Sequence, residues 1–196
     1  MGLLQFLPET CVEVLLCANG SDPHLKEYDG VYEHIPIEAK SLILFNSDLQ
    51  SAVCNEAALL AQCEYVMVIQ DGMSFDGDTT LLEATMNKAE EACRDGVFLT
   101  FPSSQYRAPI IPKRIVDLLG YYAFPAFETP VFHDKWLASI FYDLNRLFQS
   151  TLSTSTDLCR KINPDEAKMD AMVFGSTRSI RNRHLSMLVN HTETLK

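Results

Sequence analysis

The chain predicts an α/β fold: a mostly parallel sheet flanked by helices, with a helical C-terminal part. Three observations carry this. Short runs of strand-favouring residues end in turn signals, as in VEVLLCA over Val12–Ala18 followed by Asn19-Gly20-Ser21-Asp22-Pro23. Between such runs lie segments whose apolar residues recur at helical spacing. Strands that alternate with helices favour crossover connections and parallel pairing, and here the alternation fills the first two-thirds of the chain.

The elements follow in order. After the first strand, Asp29–Ile37 suggests a short strand near Val31–Ile35, and Ser41–Phe45 (SLILF) another. Leu49–Gln62 is rich in Ala, Leu and Glu, with apolar positions at 49, 52, 53, 57, 60 and 61, a helical spacing. Tyr65–Ile69 reads as a strand. Asp78–Arg94 reads as a helix opened by Asp78-Thr79-Thr80 and closed near Asp95-Gly96. Val97–Phe101 is a strand and 109–112 is extended. Lys113–Leu119 is a short helix stopped by Gly120. Asp134–Gln149 forms an amphipathic helix whose stripe (Trp136, Leu137, Ile140, Phe141, Leu144, Leu147) belongs to the core. Ser150–Asp157 is a polar link, and Ala167–Leu195 is mostly helical. This divides the chain into a core over 1–149 and a helical extension over 150–196.

Composition narrows the function classes. A chain of 196 residues, 47% of them apolar, buries a core of ordinary size. Its 16 Lys and Arg against 26 Asp and Glu give a net charge of −10. Neutralising phosphates requires cations, so nucleic acid is not an expected partner. No apolar run approaches the ~20 residues that cross a bilayer. The 6 cysteines include no CxxC pair and sit among apolar neighbours, so they read as free buried thiols of a reducing compartment, and no secretory signal is visible. The expected location is cytoplasmic.

The stretch from Tyr65 to Met73 carries the most chemistry. An apolar strand ends abruptly in Asp71 and Gly72. Open α/β sheets bind ligands at the carboxyl ends of their strands, where a carboxylate can hold a metal, a sugar or a phosphate. The competing reading is a turn or helix cap.

The order of these parts resembles the GT-A glycosyltransferases of the family 2 type. Val12–Asp22 resembles that family's strand ending in an Asp-Gly-Ser turn. Asn46–Asn55 with Glu56-Ala57-Ala58 resembles its N-x-G…A-x-N segment. Glu64-Tyr65 and the strand to Asp71 resemble its strand and metal loop. Pro109–Arg114 with Leu118–Tyr122 resembles its acceptor-side P-R…L-G-Y-F, and His133–Leu137 its D-x-W-L helix start. The resemblance covers residues 3 to 149. It implies sugar transfer from a nucleotide sugar to a hydroxyl acceptor, on a glycan or protein. Asn19, Ser21, Asn55 and Asp71 would bind the donor, and Asp71 would hold a divalent cation, Mn or Mg. Asp134 would be the catalytic base, with Arg114, Tyr121 and Trp136 on the acceptor side. For Asp134 the other reading is a helix cap.

The chain departs from the family in places. Ala18 stands where the turn's first acid is expected, and Met73, a poor ligand for hard cations, where the second metal carboxylate is expected. Asp76 and Asp78 lie nearby. Leu158–Pro164 offers Arg160 and Lys161 where a His-x-His-Pro is expected, so these cations are candidates to neutralise a diphosphate without metal. The family's first strand has no counterpart before Leu3. An edge left by that loss is a site for strand pairing with another chain, in a homo- or hetero-oligomer. A second reading therefore stands beside the enzyme: a catalytically inactive GT-A-like domain acting as a binding or structural subunit of a larger assembly.

Overall fold

Val14–Asn19 (β1) and Lys40–Phe45 (β2) pair in parallel through all six residues of each, Val14 opposite Lys40 and Asn19 opposite Phe45. The computed structural model describes residues 13–35, 40–45, 50–69, 73–76, 80–104, 107–127, 130–156 and 164–194. A helix, Leu25–His34 (α1), joins β1 to β2, as a parallel connection requires. The strand expected at Val31–Ile35 is instead the end of this helix. Among its described side chains, Leu25, Tyr28 and Tyr32 are half-buried, spaced by three and four. The Tyr32 hydroxyl donates to Lys40 O, and Lys40 Nζ caps the last carbonyls of the helix at Tyr32 and Ile35.

Gln50–Leu60 (α2) packs on β1 and leads to Tyr65–Met67 (β3). Thr80–Ala92 (α3) follows a short strand, Met73–Asp76 (β4). Leu99–Phe101 (β5), Ile110–Pro112 (β6) and Lys113–Leu119 (α4) come next. Then come Pro130–Asp143 (α5), Leu147–Gln149 (β7) and Ser153–Thr156 (β8). Pro164–Ser176 (α6) and Arg178–Thr194 (α7) form the helical C-terminal part.

The architecture is α/β, but the strands do not form one mostly parallel sheet among the described residues. The described residues form three small sheets: β1–β2, a four-stranded sheet in the order β3-β6-β5-β7, and β4–β8. In the four-stranded sheet only β5–β7 is parallel; β6 runs against both β3 and β5. Residues 102–109 are too few to carry a helical crossover from β5 to its neighbour β6, so the chain returns antiparallel. β4–β8 is antiparallel as well.

The core lies between the four-stranded sheet and helices α4 and α5. Val97, Leu99, Phe101, Ile111, Ile115 and Val116 pack with Trp136, Leu137, Ile140 and Phe141. The α5 stripe is thus core, but the helix is shifted from the expected Asp134–Gln149. It starts at Pro130 and stops at Asp143, because Asn145 turns left-handed at φ 55° and Leu147–Gln149 pairs with β5. The short helix α4 matches its expected bounds. Gly120 ends it at φ 78°, a conformation that favours glycine, with its N–H on Val116 O.

Candidate functional site

The finishing end of β3 gathers four segments. Register places Met67 opposite Ile110, so the residues before β6 lie beside those after β3. Tyr122, buried just after α4, ties the two together. Its hydroxyl donates to Pro109 O at 2.8 Å and accepts from Val68 N–H at 3.3 Å. Asn55 of α2 holds the Tyr122 backbone in turn. Its Oδ1 accepts from the N–H groups of Tyr122 (2.8 Å) and Ala123 (2.7 Å), and its Nδ2 donates to Ala123 O. Three bonds from one amide fix this loop against α2.

Asp134 faces this knot from α5. It is the fifth residue of the helix, so it does not cap the N-terminus. Its residue is 7% exposed, and no hydrogen bond reaches its carboxylate among the described residues. Burial therefore pushes the carboxyl up to about 8, opposed by the positive charge of Arg107. Two neighbouring groups are shifted upward as well. Burial drives the Tyr122 hydroxyl well above its ordinary range, and the charge of Asp134 adds to the rise. Burial likewise lifts the Cys54 thiol to about 12, with Cys17 of β1 and Asp134 adding to it. A carboxyl that releases its proton near pH 8 is suited to proton transfer at neutral to mildly alkaline pH.

His133, next in sequence, turns to a different side. It is 4% exposed, and among the described residues neither ring nitrogen has a hydrogen-bond partner. Its ring meets Phe127 edge-on at 5.9 Å. Burial lowers its pKa to about 4, against the raising effects of Asp170 on α6 and the Phe124 backbone.

The other residues expected at the site are distributed as follows. Asp71, the expected metal and donor contact, lies outside the described residues, as do Asp78, Arg160 and Lys161. Asn19 and Ser21 form a turn at the end of β1, where Asn19 Oδ1 accepts from Ser21 N–H at 2.9 Å. Asn55 is at the site, but its amide is committed to the protein backbone. Trp136 is fully buried. Its indole N–H donates to the Tyr121 hydroxyl at 2.8 Å, and its ring stacks on Phe124 at 4.2 Å. Tyr121 is buried too and bonds His184 Nδ1 through the same hydroxyl. The aromatic faces expected to meet a sugar thus pack on protein. Arg114 is at the other end of β3, where its guanidinium fills the space beside Gly96.

Arg107 and Tyr122 belong to the site and were not singled out from sequence. Both lie in loops that tertiary hydrogen bonds bring to β3, and only the proximity of Arg107 to Pro109 and of Tyr122 to Gly120 hinted at loop positions. Among the described residues, no three His, Cys, Asp or Glu side chains are grouped to hold a metal ion. No described helix is long and apolar enough to cross a membrane. No protein-family model matches the chain, and no curated protein matches it.

Proposed function

We propose that the protein is a GT-A-like glycosyltransferase that moves a sugar from a nucleotide-sugar donor to a hydroxyl acceptor, with Asp134 as the base. The observation that supports this is a buried carboxyl, pushed up to about 8, at the finishing end of an apolar strand. In the proposed reaction the ionised Asp134 takes the acceptor's hydroxyl proton. The acceptor oxygen bonds to the sugar's anomeric carbon, and the bond from that carbon to the diphosphate breaks. The nucleoside diphosphate departs with the electron pair. Asp71, three residues beyond Val68, is the proposed contact for the donor phosphates and a divalent cation, with Asn19 and Ser21 on the nucleotide side. Asn55 acts by holding the Tyr122–Ala123 backbone. A cytoplasmic location belongs to the same proposal.

A second reading is favoured by a specific observation. The side chains of Asn55, Tyr121 and Trp136 are used in protein contacts, as expected of a GT-A-like domain retained as a binding or structural subunit. Titrating UDP- and GDP-sugars with Mn²⁺ while following the melting temperature separates the two. A specific donor at 100 times its Kd stabilises by about 2.7 kcal/mol. A donor-dependent rise that Asp71→Ala abolishes supports the transferase; no rise with any donor supports the subunit.

A further inference from the structure

We propose that His184 is a proton-controlled latch: its neutral ring holds α7 on the core through the Tyr121 hydroxyl, and protonation of that ring in acid releases the helix. The donor inventory fixes which way the bonds run. An indole N–H only donates, so the Tyr121 oxygen accepts from Trp136 Nε1–H at 2.8 Å. The hydroxyl proton then needs an acceptor of its own. Tyr121 is 5% exposed, and burial raises its hydroxyl above the ordinary range, so it keeps that proton. On its other side stands His184 Nδ1, also at 2.8 Å. Nδ1 must therefore offer its lone pair, which makes His184 the neutral tautomer with its proton on Nε2.

A proton on Nδ1 turns this acceptor into a donor. Two protons then meet between the Tyr121 oxygen and Nδ1, and the Tyr121 O–H avoids the other only by turning away as a buried donor without a partner. The surroundings do not favour the added charge. The ring stands edge-on to Trp136 of α5 at 6.2 Å and to Phe124 at 6.3 Å, and tilted on Tyr121 at 5.4 Å. The nearby charges belong to Arg183 on α7 and to Arg181, whose guanidinium lies over Trp136 at 5.6 Å and over Phe174 of α6 at 4.2 Å. Asp143 of α5 acts on Arg181, and among the described residues no carboxylate pairs with His184. Burial, with the charge of Arg183, accordingly holds the His184 ring below its ordinary pKa. Leu188 and Thr192 are the buried residues of α7, so the contact at His184 is a large share of its hold on α5. The docked helix binds fewer protons than the released one. Docking is therefore complete above the ordinary imidazole range and weakens as pH falls below it. Tyr121 also precedes Tyr122, so the latch closes one residue from the knot at the finishing end of β3.

The test is amide hydrogen exchange of the full chain at pH 8 and pH 5, corrected for intrinsic rates, beside the emission of Trp136, the chain's one tryptophan. In the wild-type protein the protection of α7 is expected to fall about tenfold or more at pH 5, while β5 and α5 stay protected. Trp136 emission is expected to drop over the same range, since a cationic imidazole quenches indole more than a neutral one. His184→Asn offers a side-chain oxygen in place of Nδ1 and does not titrate, so α7 is expected to stay protected at both pH values. His184→Phe has no acceptor, so protection is expected to be low at both. Nitrogen-15 spectra of the imidazole at pH 8 are expected to show the proton of His184 on Nε2, and Tyr121→Phe to raise its midpoint. Circular dichroism checks that each variant is folded. A proton found on Nδ1 at pH 8, wild-type α7 equally protected at both pH values, or His184→Asn losing protection in acid as the wild type does overturns the proposal. So does undiminished protection in folded His184→Phe.

Discussion

Asp95 and Asp134 each face an arginine, yet their carboxyls are driven in opposite directions. Asp95 follows α3 at the starting end of β3. Burial alone would raise its carboxyl, but a hydrogen bond from Arg146 Nη1 at 2.5 Å and another from Val97 N–H at 3.1 Å outweigh it, and the carboxyl is held below its usual range. Asp134, at the other end of the strand, meets Arg107 through its field and not through a hydrogen bond, so burial wins and the carboxyl rises to about 8. Contact, more than the presence of an opposite charge, decides the sign. The first pair is a strut that joins the α3–β5 turn to the residue before β7. The second has no such bond, so the buried carboxyl keeps its proton into the neutral range.

The largest expected effect tests that contrast at its active end. Asp134→Asn should lower transfer about 10²- to 10⁴-fold, the usual contribution of a positioned base, while keeping the fold. It should also change stability in a pH-dependent way. The folded carboxyl (about 8) lies above its unfolded value, so the native state binds more protons between pH 4 and 8. Wild-type stability therefore falls as pH rises through that window, by at most about 1.4 kcal/mol per pH unit, and Asp134→Asn should remove the slope. Urea unfolding at pH 5, 7 and 9 measures it.

His133 sharpens the comparison from the acidic side, because burial is its main perturbation too, acting on a base. Its folded pKa of about 4 lies below the unfolded value, so the unfolded state binds the extra proton between them. Stability should drop as pH falls from about 6.5 to 4, again by at most about 1.4 kcal/mol per unit. In His133→Phe the acid limb of the unfolding profile should flatten; an unchanged limb would show that His133 is not the group responsible.

Smaller effects are expected at the structural end of β3. Arg146→Gln should cost about 1 kcal/mol, since the pair is partly solvated, and should let the Asp95 carboxyl rise without moving that of Asp134. Gly96→Ala should cost about 1 kcal/mol, mainly because φ is 60° there. The methyl group would also meet the Arg114 guanidinium, which can swing away. Thermal unfolding of both variants, beside unchanged donor binding, would establish that the two ends of β3 act independently.

What could be read from the sequence follows the range of the interactions involved. Lys113–Leu119 was legible because Pro112 and Gly120 punctuate it locally. The α5 stripe was legible as core, but its end was not. Leu144 and Leu147 continue the helical spacing, and only the left-handed Asn145 and the pairing of Leu147 with Leu99 end the helix. The α1 region reads as a strand from Val31 because the half-buried positions described in the helix, Leu25, Tyr28 and Tyr32, are interleaved with charged residues and a glycine. At the site, Asp134 was singled out by the resemblance of His133–Leu137 to a family helix start, while its burial at the fifth position of α5 depends on tertiary packing. Tyr122 was passed over for its neighbour Tyr121, since which ring enters the core and which reaches β3 depends on Asn55, 67 residues away in sequence. Arg107 was invisible for the same reason: its position depends on a loop drawn to Val68 by the Tyr122 hydroxyl.

The central claim is that Asp134 is a buried carboxyl, without a hydrogen bond among the described residues, and set for proton transfer. It is tested most directly by following its carboxyl carbon through a pH titration by nuclear magnetic resonance, assigned by its loss in Asp134→Asn. A midpoint near 8 is predicted, with Asp95 titrating below the ordinary carboxylate range in the same spectra. A midpoint for Asp134 near 4 would contradict the account.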